Sequence, residues 1–354
     1  MVLRAGARAL ALALSVGGLG VLSAPAAADT TITSCTNASQ SAQPLTVTVA
    51  GQPASGIYAL PATAPRGIVV VGHGFPGTAN SEKALVEQIA AADNVVALAM
   101  DYRGTDLSTG LGWRVIEGAQ DSIAATKLFD ASCPGSATFT NSVLGISMGG
   151  NMSGIAVSSN AKRSSGAPLY DYWFDVAGVS NVPEIYVDGT LIGLAPVPAL
   201  ANIGKAATAA MDAEFGGSPL TALGAYLNNS PVLRTSAMKS SGLKGVVISH
   251  GVLDGEVTSD MSVQMAATLA LTGIPTDVYT SVFKAPGTSS GLTLDGDVLG
   301  LVPGYVSPFA GHVSAIVLKA ATDRMQTIYA GAKGPSGTTL TLVDGMLGRL
   351  PLLP

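Results

Sequence analysis

Apolar residues along the chain follow two patterns that alternate. Short, nearly continuous apolar runs are typical of strands buried on both faces of a parallel sheet. They occupy residues 67–72, 95–100, 141–146, 170–179, 244–249 and 276–283. Between them, apolar residues at three- and four-residue spacing predict helices at 81–92 (with Ser81 as N-cap), 116–131, 150–159, 257–271 and 313–330. With two edge strands at 45–50 and 56–60, the alternation predicts an α/β protein with a mostly parallel central sheet and helices on both faces.

Three stretches break this alternation. Residues 180–240 are long, helical in pattern and rich in small residues, which predicts a helical cap inserted over the sheet. Its uncharged part, 189–204, contains Pro196 and Pro198, which makes it unsuitable as a membrane-spanning helix. We interpret it as part of the cap, and we further expect it to form a lid over a substrate pocket. Residues 284–311 predict a long loop, and 335–354 a strand or hairpin followed by a tail.

Composition narrows the class of protein. Only 12% of the 354 residues are charged, the net charge is −5, and no basic stripe is present, so we expect no nucleic-acid partner. The mean hydropathy of +0.43 raises the question of membrane insertion. Arg4 and Arg8, a glycine-interrupted apolar run at 9–23 and small residues at 26–28 instead predict a secretory signal peptide over 1–28. We therefore expect a secreted, extracellular domain of residues 29–354.

The two cysteines, Cys35 and Cys133, predict one disulfide in an exported chain, with two buried free thiols as the alternative. Neither lies in a metal-binding pattern, and the chain holds only three histidines. We expect neither a metal ion nor an organic cofactor.

The pentapeptide Gly145-Ile146-Ser147-Met148-Gly149 joins a predicted strand to a predicted helix. A glycine-x-serine-x-glycine turn in that context holds the serine in a strained conformation with its hydroxyl exposed. Side chains at either glycine would clash with the strand and helix. The pattern predicts Ser147 as a nucleophile, with the following amide, that of Met148, aimed at an oxyanion.

A serine nucleophile needs a histidine base and an acid that orients the histidine. In a fold with this motif the chain order is serine, acid, histidine, and only His250 and His312 follow Ser147. His312 lies between the last core strand and the last predicted helix, so we predict that it is the base. Asp254, just after the strand at 244–249, is the best-placed acid, and His250 is expected to brace its loop. Four other carboxylates remain open as the acid: Glu256, Asp260, Asp295 and Asp297.

A second oxyanion donor is expected from the loop after the strand at 67–72, which reads His73-Gly74-Phe75-Pro76-Gly77. Its glycines let the backbone approach a ligand closely. The Phe75 amide is the predicted donor, and His73 is expected to brace the loop.

These segments together resemble the α/β-hydrolase superfamily over about residues 45–330: the serine pentapeptide, His73-Gly74-Phe75, the Asp254 loop and Gly311-His312. Within it the chain resembles secreted bacterial serine esterases and lipases. Residues 250–283 also resemble the last core segment of prolyl-oligopeptidase-type hydrolases. The resemblance implies the α/β-hydrolase fold, a Ser147–His312–Asp254 triad, and oxyanion donors at Phe75 and Met148. The long loop before His312 departs from the pattern and leaves the substrate class open.

The sequence therefore predicts a serine hydrolase that cleaves carboxylic esters through an acyl-enzyme. We expect a small-molecule or lipid ester substrate with an apolar acyl group, and transient contact with a lipid surface through the cap. The acyl pocket is predicted to be lined by apolar residues of the cap and of the long loop: Leu191, Ile192, Leu194, Val197, Leu200, Ile203, Leu299, Leu301, Val302, Tyr305 and Phe309. A peptidase, an acyltransferase and an inactive binding protein are the alternatives. An aminopeptidase would need a carboxylate for the substrate amine, for which the cap offers Glu184, Asp188, Asp212 and Glu214.

Overall fold

Ten strands form one sheet in the computed structural model, which describes residues 28–196, 198–252, 254–281, 312, 315–343 and, by backbone alone, 349–351. The strands are β1 (Gln43–Val49), β2 (Gln52–Ala59), β3 (Gly67–Gly72), β4 (Val96–Met100), β5 (Thr140–Ile146), β6 (Tyr172–Val176), β7 (Gly245–Gly251), β8 (Thr276–Ser281), β9 (Thr338–Leu342) and β10 (Arg349–Pro351). The helices in the same residues are α1 (Lys83–Asp93), α2 (Val115–Ser132), α3 (Met148–Ser158), α4 (Val182–Ile192), α5 (Pro198–Phe215), α6 (Pro219–Asn228), α7 (Thr235–Ser241), α8 (Ser259–Leu271) and α9 (Ala315–Tyr329).

The strand order is β1-β2-β4-β3-β5-β6-β7-β8-β9-β10. The strands from β4 to β9 run parallel, β1 and β2 form an antiparallel hairpin at one edge, and β10 returns antiparallel to β9 at the other. The mostly parallel sheet predicted from the apolar runs is confirmed, as are the edge position of β1 and the C-terminal hairpin. The prediction that residues 56–60 form an edge strand was wrong, because β2 also pairs with β4 and so lies inside the sheet. The carboxyl ends of the central strands therefore lie along one edge, where ligands of open α/β sheets bind.

Apolar side chains on both faces of the central strands explain their continuous apolar runs. In β3, Ile68 and Val70 face one core, which includes Phe129 of α2 and Met152 of α3. Val69 and Val71 of the same strand face the other core, to which α1 and α9 contribute. Helices thus cover both faces of the sheet, as predicted.

Three predicted boundaries were wrong for local reasons. Ser81 does not cap α1: it lies in a 3₁₀ turn, Ala79–Glu82, where its hydroxyl accepts a hydrogen bond from the Thr78 amide at 3.2 Å. The strand predicted at 170–179 is shorter, because Ala177 has a positive φ of 46° and ends β6. The strand predicted at 244–249 is longer, because pairing with β8 continues through Gly251 and places His250 inside β7.

The segment between β6 and β7 is helical, as expected for the cap, and contains α4, α5, α6 and α7. We call residues 182–241 the cap, without Val197, which lies outside the described residues. None of the described helices combines the length and apolarity that a membrane span needs. The predicted long loop at 284–311 and the predicted signal peptide, apart from its last residue, also lie outside the described residues.

A disulfide joins Cys35 to Cys133, as predicted. Cys35 precedes β1 and Cys133 follows α2, so the bond ties the N-terminal segment to a helix that packs on the sheet. The two residues are 98 apart in sequence. Closing a loop of that length is worth on the order of 4–5 kcal/mol in the chain-entropy model.

Candidate active site

Ser147 forms the turn between β5 and α3. Its backbone has φ 54° and ψ −120°, a region that residues with a side chain rarely adopt. Two backbone hydrogen bonds hold it there: the Ser147 amide donates to the Val176 carbonyl (3.1 Å), and its carbonyl accepts from the Val179 amide (3.0 Å). The neighbouring strand β6 and its following loop therefore fix the strained turn.

The two glycines of the pentapeptide are required by close packing. A Cβ atom at Gly145 would overlap the Gly149 carbonyl and the Ser153 hydroxyl. A Cβ at Gly149 would overlap the Gly72 carbonyl at the end of β3. The predicted clash at both flanks is confirmed, and the first turn of α3 lies directly against the strand ends.

The loop after β3 also lies against the serine. A Cβ built on Gly74 would be 3.3 Å from Ser147 Cβ. His73 is buried, donates from Nδ1 to the Gly74 carbonyl (2.9 Å) and stacks on the Tyr102 ring at 3.9 Å between centroids. Burial lowers the pKa of His73, outweighing its backbone hydrogen bonds and the charge of Asp101, so its ring is neutral near pH 7. His73 therefore holds this loop in place from the buried side.

Asp254 and His312 form a hydrogen-bonded pair. His312 Nδ1 donates to Asp254 Oδ2 at 2.9 Å, and the Asp254 side chain is fully buried. Burial alone would raise the pKa of Asp254, but the charges and hydrogen bonds of His312 and His250 hold it well below its usual range. Asp254 Oδ1 accepts the amides of Glu256 and Val257. The carboxylate is thus ionised and held at a fixed position.

His250 braces the acid from the opposite side. Its Nε2 lies 3.1 Å from Asp254 Oδ2 and donates to the Val257 carbonyl at 2.7 Å. Its Nδ1 pairs with the Ser262 hydroxyl at 2.5 Å. His250 therefore joins β7, the Asp254 loop and α8, as the sequence suggested.

The rival carboxylates are placed differently. Glu256 lies at the other ring nitrogen, 3.4 Å from His312 Nε2. Asp260 lies in the first turn of α8 and has Glu184 as its hydrogen-bonding neighbour. Asp295 and Asp297 lie outside the described residues. Among the described carboxylates, Asp254 is the one hydrogen-bonded to His312 Nδ1.

A cavity of about 40 Å³ opens beside Ser147, large enough for roughly three water molecules. Phe75, Trp113 and Glu256 share its wall with the serine. The cap contributes three isoleucines to the same wall: Ile185, Ile192 and Ile203. Apart from Glu256, the side chains that surround the serine in the described part of the chain are largely apolar.

Some cap residues that were predicted to line the acyl pocket lie elsewhere. Leu191 and Leu194, predicted to line an acyl pocket, are 61% and 76% exposed instead, and Leu200 is buried in the cap away from the wall. Ile192 and Ile203 lie where predicted. Helical geometry explains the difference, because neighbouring positions such as 191 and 192 point to different sides.

Trp113, which lies on the cavity wall, was not predicted from the sequence. Its ring packs against Phe75 with centroids 6.0 Å apart, and its Nε1 donates to Asn151 Oδ1 of α3 at 3.3 Å. Trp113 follows β4 on the loop that leads to α2. Its position after the carboxyl end of a parallel strand was the signal that could have identified it.

Three of the four cap carboxylates considered for an aminopeptidase are engaged elsewhere. Glu214 pairs with Arg114 at 3.2 Å, and Asp212 accepts hydrogen bonds from Tyr186 and Tyr226. Glu184 accepts from Asn181 and Gln264, and Asp188 lies one turn further along α4. Glu256, rather than any of these four, is the described carboxylate on the cavity wall. In the same described residues, no group of three metal-ligating side chains comes together.

Comparison with known proteins identifies the fold. No protein-family model and no curated protein matches the chain. Solved structures do match: the thermophilic carboxylesterase EstE1 from a metagenomic library (18% identity, TM-score 0.50, 68% of this chain and 78% of that one) and an esterase from Pyrobaculum calidifontis (17%, 0.50, 68% and 74%). A puromycin hydrolase also matches (14%, 0.50, 68% and 35%).

The chain has the α/β-hydrolase fold, as the sequence predicted. It spans only about a third of the length of two other matched proteins, 35% of the puromycin hydrolase and 36% of an acylaminoacyl peptidase from Pyrococcus horikoshii. At these identities the matches define the fold, and the chemistry has to be argued from the site.

Proposed function

We propose that the protein is a serine hydrolase of carboxylic esters. Ser147 attacks the acyl carbon, His312 accepts the serine proton through Nε2 and returns it to the leaving alcohol, and Asp254 holds the imidazole by Nδ1. The amides of Phe75 and Met148 stabilise the oxyanion, and water then hydrolyses the acyl-enzyme.

The observation that carries this proposal is the strained turn at Ser147 beside a cavity whose wall also holds Glu256, the carboxylate next to the Asp254–His312 pair. Glu256 lies on the same cavity wall as Ser147 and 3.4 Å from His312 Nε2, and this contact supports His312 as the base for Ser147. Met148 begins α3, so its amide has no acceptor within the helix and is free for a ligand. The close approach of Gly74 to Ser147 supports the adjoining Phe75 amide as the other oxyanion donor.

An ester with an apolar acyl group fits the cavity best. Ile185, Ile192 and Ile203 of the cap and the rings of Phe75 and Trp113 offer apolar contact. Each methylene buried there is worth about 0.8 kcal/mol. Five further apolar residues proposed for the pocket lie outside the described residues: Leu299, Leu301, Val302, Tyr305 and Phe309.

A series of p-nitrophenyl esters from acetate to octanoate tests the substrate class. We expect kcat/KM to rise several-fold per added methylene until the cavity is filled, with butyrate exceeding acetate. Aminoacyl anilides, assayed in parallel, test the alternative that the protein is a peptidase. A steady fall from acetate onward would contradict the apolar pocket, and turnover of the anilides alone would replace the esterase with a peptidase.

Export completes the proposal. A signal peptide over 1–28 would deliver the chain to an oxidising compartment, and the Cys35–Cys133 disulfide supports that destination. Transient contact with a lipid surface is supported by exposed leucines on the cap, among them Leu191, Leu194 and Leu220.

A further inference from the structure

One short turn supplies both carboxylates that face His312. Asp254 and Glu256 are separated by one residue, and the Glu256 amide donates to Asp254 Oδ1 at 2.9 Å. Asp254 accepts from Nδ1 of the imidazole, while Glu256 Oε2 lies 3.4 Å from Nε2. The ring is therefore held between two carboxylates, one at each nitrogen.

The second of these contacts falls on the atom that the reaction needs. A histidine base must present an unprotonated Nε2 to the serine hydroxyl. Among the described residues, no hydrogen bond joins the Ser147 hydroxyl to His312, and the charged group nearest to Nε2 is Glu256. Glu256 is only 24% exposed and lines the same cavity as Ser147.

We propose that Glu256 is a positioning residue that competes with Ser147 for His312 Nε2, holding the substrate-free site in a protonated resting state that limits activity at low pH. The proposal rests on the proposed function, because it assigns Glu256 a role through the catalytic base. When Glu256 is ionised, it stabilises a proton on Nε2, and that proton must leave before the imidazole can accept another from the serine.

The electrostatics around the pair agree with this role. Burial lowers the pKa of His312, but the charge and hydrogen bond of Asp254 and the charge of Glu256 raise it above its ordinary value overall. The pKa of Glu256 is raised overall: burial raises it most, the charge of His312 opposes the shift, and the charge of Asp254 adds to it. Within the described residues, Asp254 and Glu256 are the charged groups acting on His312, with His250 behind Asp254.

Two variants that remove the charge test the proposal: Glu256→Gln and Glu256→Ala. Asp323→Asn, which removes one negative charge from an exposed ion pair on α9, is the matched control. Nuclear magnetic resonance titration of the imidazoles is practical because the chain has three histidines, and the His312→Asn variant assigns the signal. The pH profile of kcat/KM is measured on the same proteins.

We expect the His312 titration and the acidic limb of kcat/KM to move to lower pH in both variants and to stay in place in Asp323→Asn. Below the wild-type limb, kcat/KM should rise on the order of three- to tenfold, because an opposite charge at this distance favours the protonated ring. An unmoved His312 titration would overturn the proposal, as would a lower plateau with no shift. If the wild-type protein cleaves no ester, the proposed function fails, while the titration still decides the role of Glu256.

Discussion

Asp254 is the residue on which two histidines converge. His312 Nδ1 and His250 Nε2 both approach its Oδ2, at 2.9 and 3.1 Å, while two backbone amides occupy Oδ1. An acid held by this many donors stays ionised and fixes one imidazole tautomer. In the proposed reaction, Asp254 orients the imidazole and takes no part in proton transfer.

Replacing this acid with an amide should separate orientation from folding. Asp254→Asn is expected to lower kcat by on the order of 10⁴, because the amide favours the wrong histidine tautomer. Steady-state kinetics on p-nitrophenyl butyrate give the measurement, with circular dichroism as the check on folding. Near-normal kcat in the folded variant would move the role to another carboxylate, with Glu256 and Asp260 the described candidates.

Asp175 is a second buried carboxyl group, which the proposed reaction does not use. It lies on β6, and neither of its carboxylate oxygens has a hydrogen-bond partner among the described residues. Burial raises its pKa to about 7, although the charge of His250 opposes the shift. In the unfolded chain the same group titrates near pH 4. Between these pH values the folded state binds more protons, so the free energy of unfolding falls as pH rises.

Asp175→Asn should remove that part of the pH dependence. Urea unfolding at pH 5 and pH 8 should show a loss of stability in the wild-type protein that is smaller in the variant, by on the order of a few kcal/mol. Other buried carboxyls, such as Asp93, will leave some slope in both proteins. Equal pH dependence in the two proteins would show that the pKa of Asp175 is not raised in the folded state.

At the scale of elements, the site depends on how closely α3 approaches β3. The carbonyl of Gly72 at the end of β3 occupies the space that a side chain at position 149 would need. Because that obstacle is backbone, neither side can yield without moving a strand or a helix. The strained turn at Ser147 is maintained by this contact and by its hydrogen bonds to Val176 and Val179.

A pair of glycine substitutions tests this contact. Gly149→Ala should be destabilised by several kcal/mol or fail to fold, because of the overlap with Gly72. Gly224→Ala is the control: it lies in α6 with nothing within 4 Å of the added Cβ, and should gain about 0.5–1 kcal/mol. Urea unfolding monitored by near-ultraviolet circular dichroism measures both. Wild-type stability in Gly149→Ala would contradict the close packing.

Elements were predictable where one sequence signal dominated. Continuous apolar runs marked β3, β4, β5 and β7, because strands buried on both faces carry mostly apolar side chains. Boundaries failed where a single residue decided them: the positive φ of Ala177 and the hydroxyl of Ser81 act through local geometry that apolar spacing does not encode. Periodicity also did not show which leucines of the cap face the cavity.

The site could be predicted from sequence only in part. The types and order of Ser147, Asp254 and His312 identified them as candidates, and the Asp254–His312 contact has the expected form. The contact between Glu256 and His312 could not be predicted, because the two residues are 56 positions apart in sequence and meet only through the fold. The same holds for Trp113, whose place on the wall depends on its packing against Phe75.

On the scale of the whole molecule, the parallel sheet gathers residues that are far apart in sequence. The segments that carry Ser147 and Asp254 follow β5 and β7, and parallel strands end along one edge. The Cys35–Cys133 bond ties the N-terminal segment to this body, and the cap closes over the same edge. The proposed function therefore depends on one claim, that Ser147 is a reactive nucleophile at this edge.

Covalent labelling tests that claim most directly. The protein is incubated with a fluorophosphonate, and the modified residue is located by peptide mass mapping, with Ser147→Ala as the control. We expect one equivalent of label on Ser147, loss of ester hydrolysis in parallel, and no labelling of Ser147→Ala. An unlabelled Ser147 in a folded protein that still hydrolyses esters, or equal labelling of Ser147→Ala, would contradict the account.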